Sequence, residues 1–109
     1  MQALINETII LATILADQAG LQYFNEKLRG QDCWPCGNSK VILKVKGNTK
    51  IGKALLAAGF KKEYTGGLYR NFSRHPAQCM DIGVESNIAA LKVLESSLSV
   101  AGYVKSWMD

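Results

Sequence analysis

Apolar residues recur at spacings of three and four through the first 28 residues. Ile5, Ile9, Ala12, Ala16 and Ala19 share a face, and Leu11, Ile14, Leu15 and Leu21 widen it. This is the pattern of a long helix over residues 4–28. Asn6 is its candidate cap. Gly20 marks a bend or break, because glycine costs a helix about 1 kcal/mol relative to alanine, and Gly30 is its expected end. So broad an apolar face has to pack on something. The sheet of the same chain is the first expectation, and a homodimer through this helix is the other.

From Lys40 to Lys46 the period drops to two. Val41, Leu43 and Val45 point one way and Lys40, Ile42, Lys44 and Lys46 the other, a half-buried strand with a basic outer face. Gly47-Asn48-Thr49 stops it, and Asn48 or Thr49 supplies an N-cap oxygen for a short helix striped by Ile51, Ala54, Leu55 and Ala58. Gly59 stands where a left-handed residue closes a helix. Phe60–Tyr64 and Leu68–Phe72 flank Thr65-Gly66-Gly67, a hairpin signal. Alternation in its second arm sends Leu68, Arg70 and Phe72 to one face and Tyr69 and Asn71 to the other. Beyond it the pattern predicts a short strand at Gln78–Val84. An N-cap at Ser86 follows, then a helix striped by Ile88, Leu91, Leu94, Leu98 and Ala101, closed by Gly102, and a terminal strand at Tyr103–Trp107.

These elements specify a single α+β domain over residues 1–109. A small, mostly antiparallel sheet, with strands near 40–46, 60–64 and 68–73, is packed by the long N-terminal helix, the helix near 49–58 and the C-terminal helix near 86–101. Ala54–Lys61 (ALLAAGFK) and Ser97–Val104 (SLSVAGYV) echo each other as helix end, glycine, aromatic and extended chain.

A hydrophobic content of 48% separates the chain from disordered sequences. The longest apolar run, Ile9–Ala16, is interrupted by Thr13 and is too short to span a bilayer. Glu7 stands where a secretory leader would be basic. The expected location is the cytoplasm, without a membrane partner. The net charge of +4 is unevenly spread. Residues 33–79 hold nine of the 13 basic residues against Glu63 alone, a net of +8, while each flank sums to −2. Such a concentration steers polyanions or acidic protein surfaces. The candidate contact residues are Lys40, Lys44, Lys46, Lys50, Lys53, Lys61, Lys62, Arg70 and Arg74. Tyr64, Tyr69 and Phe72 lie among them, and basic and stacking side chains interleaved on strands are what single-stranded nucleic acids bind.

Cys33-Trp34-Pro35-Cys36 is a C-x-x-C, and His75 and Cys79 follow after a long gap. Four thiolate or imidazole ligands from two loops are a zinc donor set, so Cys33, Cys36, His75 and Cys79 are candidate ligands of a structural zinc. Plain thiols in a loop are the simpler alternative. A redox pair needs its first thiol at a helix N-terminus, whereas here a helix precedes the motif. No nucleophile elbow, phosphate loop or paired carboxylate occurs. The residues therefore assemble no complete catalytic constellation, and no cofactor besides zinc is indicated.

Ala54 to Pro76, ALLAAGFKKEYTGGLYRNFSRHP, is similar to the core of the HicA-type RNA-cleaving toxins. Those combine a helix ending in Gly-Phe, a hairpin around Gly-Ser-His, a strand and a helix, the αβββα plan of double-stranded-RNA-binding domains. The resemblance extends over about residues 49–101. It implies RNA as a partner and, in an active relative, RNA cleavage. Where the family places its catalytic histidine this chain has Gly66-Gly67-Leu68, so a cleaving relative would have to use His75. The expectation is a non-enzymatic binding protein that docks its basic face on nucleic acid or on an acidic surface of a nucleic-acid-processing complex. Small phage and mobile-element inhibitors or adaptors have this character. An RNA-cleaving toxin relative and a zinc-stabilised interaction module are the alternatives.

Overall fold

The computed structural model describes residues 1–31, 36–77 and 79–108. Its elements follow in the order α1 (Gln2–Glu26), β1 (Gly37–Leu43), α2 (Lys50–Ala57), β2 (Lys61–Lys62), β3 (Leu68–Arg70), α3 (Met80–Leu98) and β4 (Gly102–Met108). The strands make one sheet in the order β2-β3-β1-β4, every pairing antiparallel. From β1 onward the order is β-α-β-β-α-β, the split βαβ arrangement, with α1 added ahead of it. The fold is α+β, as the pattern predicts. The two echoed segments lie at equivalent places, the junctions α2–β2 and α3–β4.

Val41, Leu43 and Leu68 present one face of the sheet to the helices. There they join Ile5, Ile9, Ala12, Ala16, Leu55, Phe60, Phe72, Ala90 and Leu94 in one core. The expected docking of α1 on the sheet is corrected in detail. Its main neighbour is α3, which itself lies on β1 and β4. The helices run antiparallel, with Tyr23 near Asp81 at one end. Gly20 does not break α1. A Cβ there would come within 2.5 Å of Ser86 Oγ, so the glycine lets α1 and α3 approach closely. Asn6 is inside the helix and accepts from Gln2, while Met1 occupies the cap position.

Other boundaries differ for identifiable reasons. β1 ends at Leu43 because the Val45 N–H turns back to Leu43 O, although Lys44 N still donates to Ala101 O. At its other end Gly37-Asn38-Ser39, poor strand formers by propensity, pair in full with Ser106–Met108. Thr49 caps α2, accepting from Gly52 N at 3.1 Å. Gly66 and Gly67 carry the positive φ that the hairpin requires, 111° and 86°. The strand expected at Gln78–Val84 is not formed by the described residues there, because α3 begins at Met80. Ser86 is therefore a buried residue within the helix. Ser99, with φ 53°, closes α3 in place of Gly102, which opens β4. The fully buried line of α3 is Ile82, Ser86, Asn87, Ala90 and Leu94. It replaces the predicted stripe of Ile88, Leu91, Leu94, Leu98 and Ala101, of which only Leu94 is fully buried.

Candidate nucleic-acid interface

Side chains of directly paired residues in adjacent strands stand on the same face. On the face away from the core, Tyr69 and Tyr103 flank Ile42, Lys61 lies beyond Tyr69, Lys105 pairs with Lys40, and Trp107 pairs with Asn38. Tyr103 and Trp107 are each 42% exposed, whereas Ile42 between the two tyrosines is 1% exposed. Three aromatic rings and several lysines thus share one solvent-facing surface drawn from all four strands.

Lys40 sits at its centre. Its ammonium lies 2.5 Å from Glu63 Oε2, 4.1 Å from the centroid of the Tyr69 ring and 5.5 Å from that of Trp107. Glu63, the one acid of the basic stretch, is buried against it. Hydrogen-bonding contact with Lys40 holds the Glu63 carboxyl below its ordinary range. Burial opposes that shift, and the charges of Lys40 and Lys105 add to it. Lys44 reaches toward Tyr103, 6.0 Å from its ring. A cation over an aromatic face is attracted by the negative face of the ring.

The nine basic residues singled out in the sequence do not all meet. Lys40, Lys44 and Lys61 belong to this face. Lys46, Lys50 and Lys53 are exposed around the start of α2. Lys62 pairs with the buried Leu68 and so stands on the opposite side of the sheet. Arg70 turns to the core side, donating from Nη1 to Ala58 O at 2.9 Å and lying over Phe72 at 5.2 Å, which closes the end of α2. Arg74 pairs with Asp17 of α1. Of the hairpin aromatics, Phe72 is buried against Phe60, Tyr64 is fully exposed at the turn, and Tyr69 alone joins the sheet face. Tyr103, Lys105 and Trp107 complete this face and are not among the residues the charge pattern singles out. The signal was present, since Tyr103–Trp107 was expected to be a strand and its alternate residues share a face, but the partner of that strand was unknown.

The second chemically loaded region lies where β1 begins and α3 starts. A cleft of about 330 Å³ is lined by Ser39, Asn71, Ser73, His75, Cys79 and their neighbours. His75 Nδ1 accepts from Ala77 N at 3.1 Å, and the ring rests 4.6 Å from Phe24. Cys36 and Cys79 face each other in an isolated antiparallel bridge. Cys79 is disulfide-bonded and Cys36 is a free thiol. A sulfur in a disulfide ligates zinc only after reduction, because the thiolate is the ligand. Cys33 lies outside the described residues, and among those described no group of three His, Cys, Asp or Glu side chains converges as a metal site. Beneath the cleft Asn87, fully buried, ties three segments together. Its Oδ1 accepts from Phe72 N at 2.8 Å, and its Nδ2 donates to Ser39 Oγ at 2.9 Å and to Asn71 Oδ1 at 3.1 Å.

Comparison of the chain with known families, with curated proteins and with solved structures finds no match.

Proposed function

We propose that the protein is a non-catalytic binding protein that takes single-stranded nucleic acid on the open face of its sheet. The observation that carries this reading is the set of Tyr69, Tyr103 and Trp107 with Lys40, Lys44, Lys61 and Lys105 on one exposed surface. Bases stack on aromatic rings whatever their identity, and lysines between the rings meet the phosphates. A base pair inside a duplex offers no free face to such rings. The preference is therefore for single strands, with little sequence readout. Ile42 supplies an apolar floor between the two tyrosines. Glu63 opposes phosphate at the centre, so the surface holds the strand by its bases and its outer lysines.

The test is fluorescence anisotropy of labelled 12-nucleotide single strands, DNA and RNA, against a duplex of the same length, at several salt concentrations. Tyr103→Ala and Trp107→Ala are each expected to weaken single-strand binding roughly 5- to 100-fold. The slope of log K against log salt should be about −2 if the three outer lysines, Lys44, Lys61 and Lys105, meet phosphates. Equal affinity for duplex and single strand, with both alanine variants unaffected, would refute a stacking surface. RNA lost during the assay by wild type and not by His75→Ala would replace binding with cleavage.

A further inference from the structure

Leu11, Ile14 and Leu21 do not widen the buried face of α1. They form a second apolar stripe on its opposite side, turned about 180° from Ile5, Ile9, Ala12 and Ala16 at 3.6 residues per turn. Leu4, Leu11, Ile14 and Leu21 are 47–52% exposed and Ile10 is 61% exposed. The stripe has a heptad period. Leu4, Leu11 and Gln18 are seven apart, as are Glu7, Ile14 and Leu21, offset by three, which is the seam of a paired helix.

We propose that this seam binds a second copy of the chain, with the two α1 helices antiparallel about a two-fold axis. The polar positions decide the occupant and its direction. In an antiparallel pair Leu4 faces Leu21 of the second copy, Leu11 faces Ile14, and Glu7 faces Gln18, whose amide donates to the carboxylate. Every apolar position meets an apolar one, and the two polar positions meet each other. Ile10 and Leu15, on either side of the seam, lie near their own copies at the axis. A parallel pair would set Glu7 against Glu7, a like-charge repulsion within the seam one layer from its N-terminal end. The 25-residue helix offers a face about 37 Å long and about 10 Å wide on each copy. The two faces together make about 740 Å² before side-chain relief, the size of a weak, reversible contact rather than of an obligate dimer.

A bilayer is the rival occupant, since α1 is long and apolar enough to cross one by length and composition alone. The charges argue against it. Gln2–Glu26 contains Glu7, Asp17 and Glu26 and no lysine or arginine, whereas helices that lie on membranes present basic residues beside their apolar face. Crossing would also withdraw Ile5, Ile9, Ala12 and Ala16 from the core they share with the sheet.

Sedimentation equilibrium of the full chain reads the proposal. A reversible dimer is expected. Leu11→Glu, which enters the two-fold interface twice, should raise its Kd by roughly 100-fold or more with the circular dichroism spectrum retained and, at concentrations where both proteins are monomeric, the melting temperature unchanged, because Leu11 is outside the core. Direction is read by two charge variants. Gln18→Lys should tighten the dimer severalfold through Glu7 of the second copy, and Gln18→Glu should weaken it. In a parallel pair Gln18 faces itself, so weakening by both variants would overturn the antiparallel assignment. A monomeric wild type at 200 µM, or a Leu11→Glu variant that dimerises as well as wild type, would overturn the proposal. Co-sedimentation of such a monomer with vesicles of equal phosphatidylcholine and phosphatidylglycerol would assign the stripe to lipid.

Discussion

Replacing Asn87 by alanine removes the polar joint between α3, β1 and the segment after β3, and its three bonds can be weighed separately. Phe72 is 2% exposed, so its N–H is left in the core, at a cost of about 1–3 kcal/mol. Ser39 is equally buried, and its hydroxyl loses a donor worth about 1 kcal/mol. Asn71 is exposed and turns to water, so its bond adds about 0.5 kcal/mol. The total is about 2.5–4.5 kcal/mol, a large share of the ~5–15 kcal/mol that holds a domain together. At about 4 °C per kcal/mol for a chain of this size, the thermal midpoint should fall by about 10–18 °C. Urea denaturation followed by far-ultraviolet circular dichroism measures the loss, with the m-value unchanged. Asn87→Asp sharpens the test. It keeps the acceptor for Phe72 N but turns the donor that serves Ser39 and Asn71 into a buried carboxylate. It should be at least as destabilising at neutral pH and recover in part on acidification, when the acid becomes a donor again. A loss below 1 kcal/mol for Asn87→Ala would mean that the Phe72 N–H finds another partner and that Asn87 is not the joint between these segments.

Glu63 and Arg70 give two further expectations. Because the folded protein holds the Glu63 carboxyl below its ordinary range, its contribution is present above the unfolded value of about 4.3 and is lost as pH falls through the folded value. Glu63→Gln should therefore flatten the acid limb of a stability–pH profile, and by removing the one carboxylate beside Lys40 it should also tighten oligonucleotide binding at neutral pH. Arg70→Ala should cost about 1–2 kcal/mol through its bond to Ala58 O and its cover over Phe72, while oligonucleotide affinity, read by anisotropy, stays within twofold of wild type.

Regular hydrophobic periods were legible in the chain, and polar residues inside the core were not. Val41, Leu43 and Leu68 were placed on the correct face because a strand alternates strictly. The buried line of α3 was misread because Ser86 and Asn87 interrupt it, and a pattern of apolar positions gives no weight to an asparagine whose hydrogen bonds are all made inside. The second stripe of α1 was misread for the opposite reason. An apolar side chain signals burial without saying against what, and α1 is apolar on two sides while its own fold covers one. The proposed binding face is half visible in the sequence. Lys40, Lys44, Lys61 and Tyr69 belong to strands the sequence marks well, but their juxtaposition with Tyr103, Lys105 and Trp107 depends on which strand lies beside β1, and sheet order leaves no local signature.

The order β2-β3-β1-β4 also has a kinetic consequence. The β1–β4 ladder joins residues 59 positions apart at one end, Leu43 with Gly102, and 71 apart at the other, Gly37 with Met108. Closing so long a loop costs entropy that only the finished ladder and the helix above it offset. The α1–α3 pairing closes a loop of the same length, Tyr23 meeting Asp81 58 positions on, so the ladder and the helix pair both form late, after the separate helices and the β2–β3 hairpin. Tyr103 and Trp107 meet Tyr69 only once the ladder has closed. A chain that has gained its helices but not its last strand pairing looks nearly native by circular dichroism yet lacks the aromatic face proposed to take nucleic acid. Recovery of binding after dilution from urea should accordingly lag behind recovery of helix.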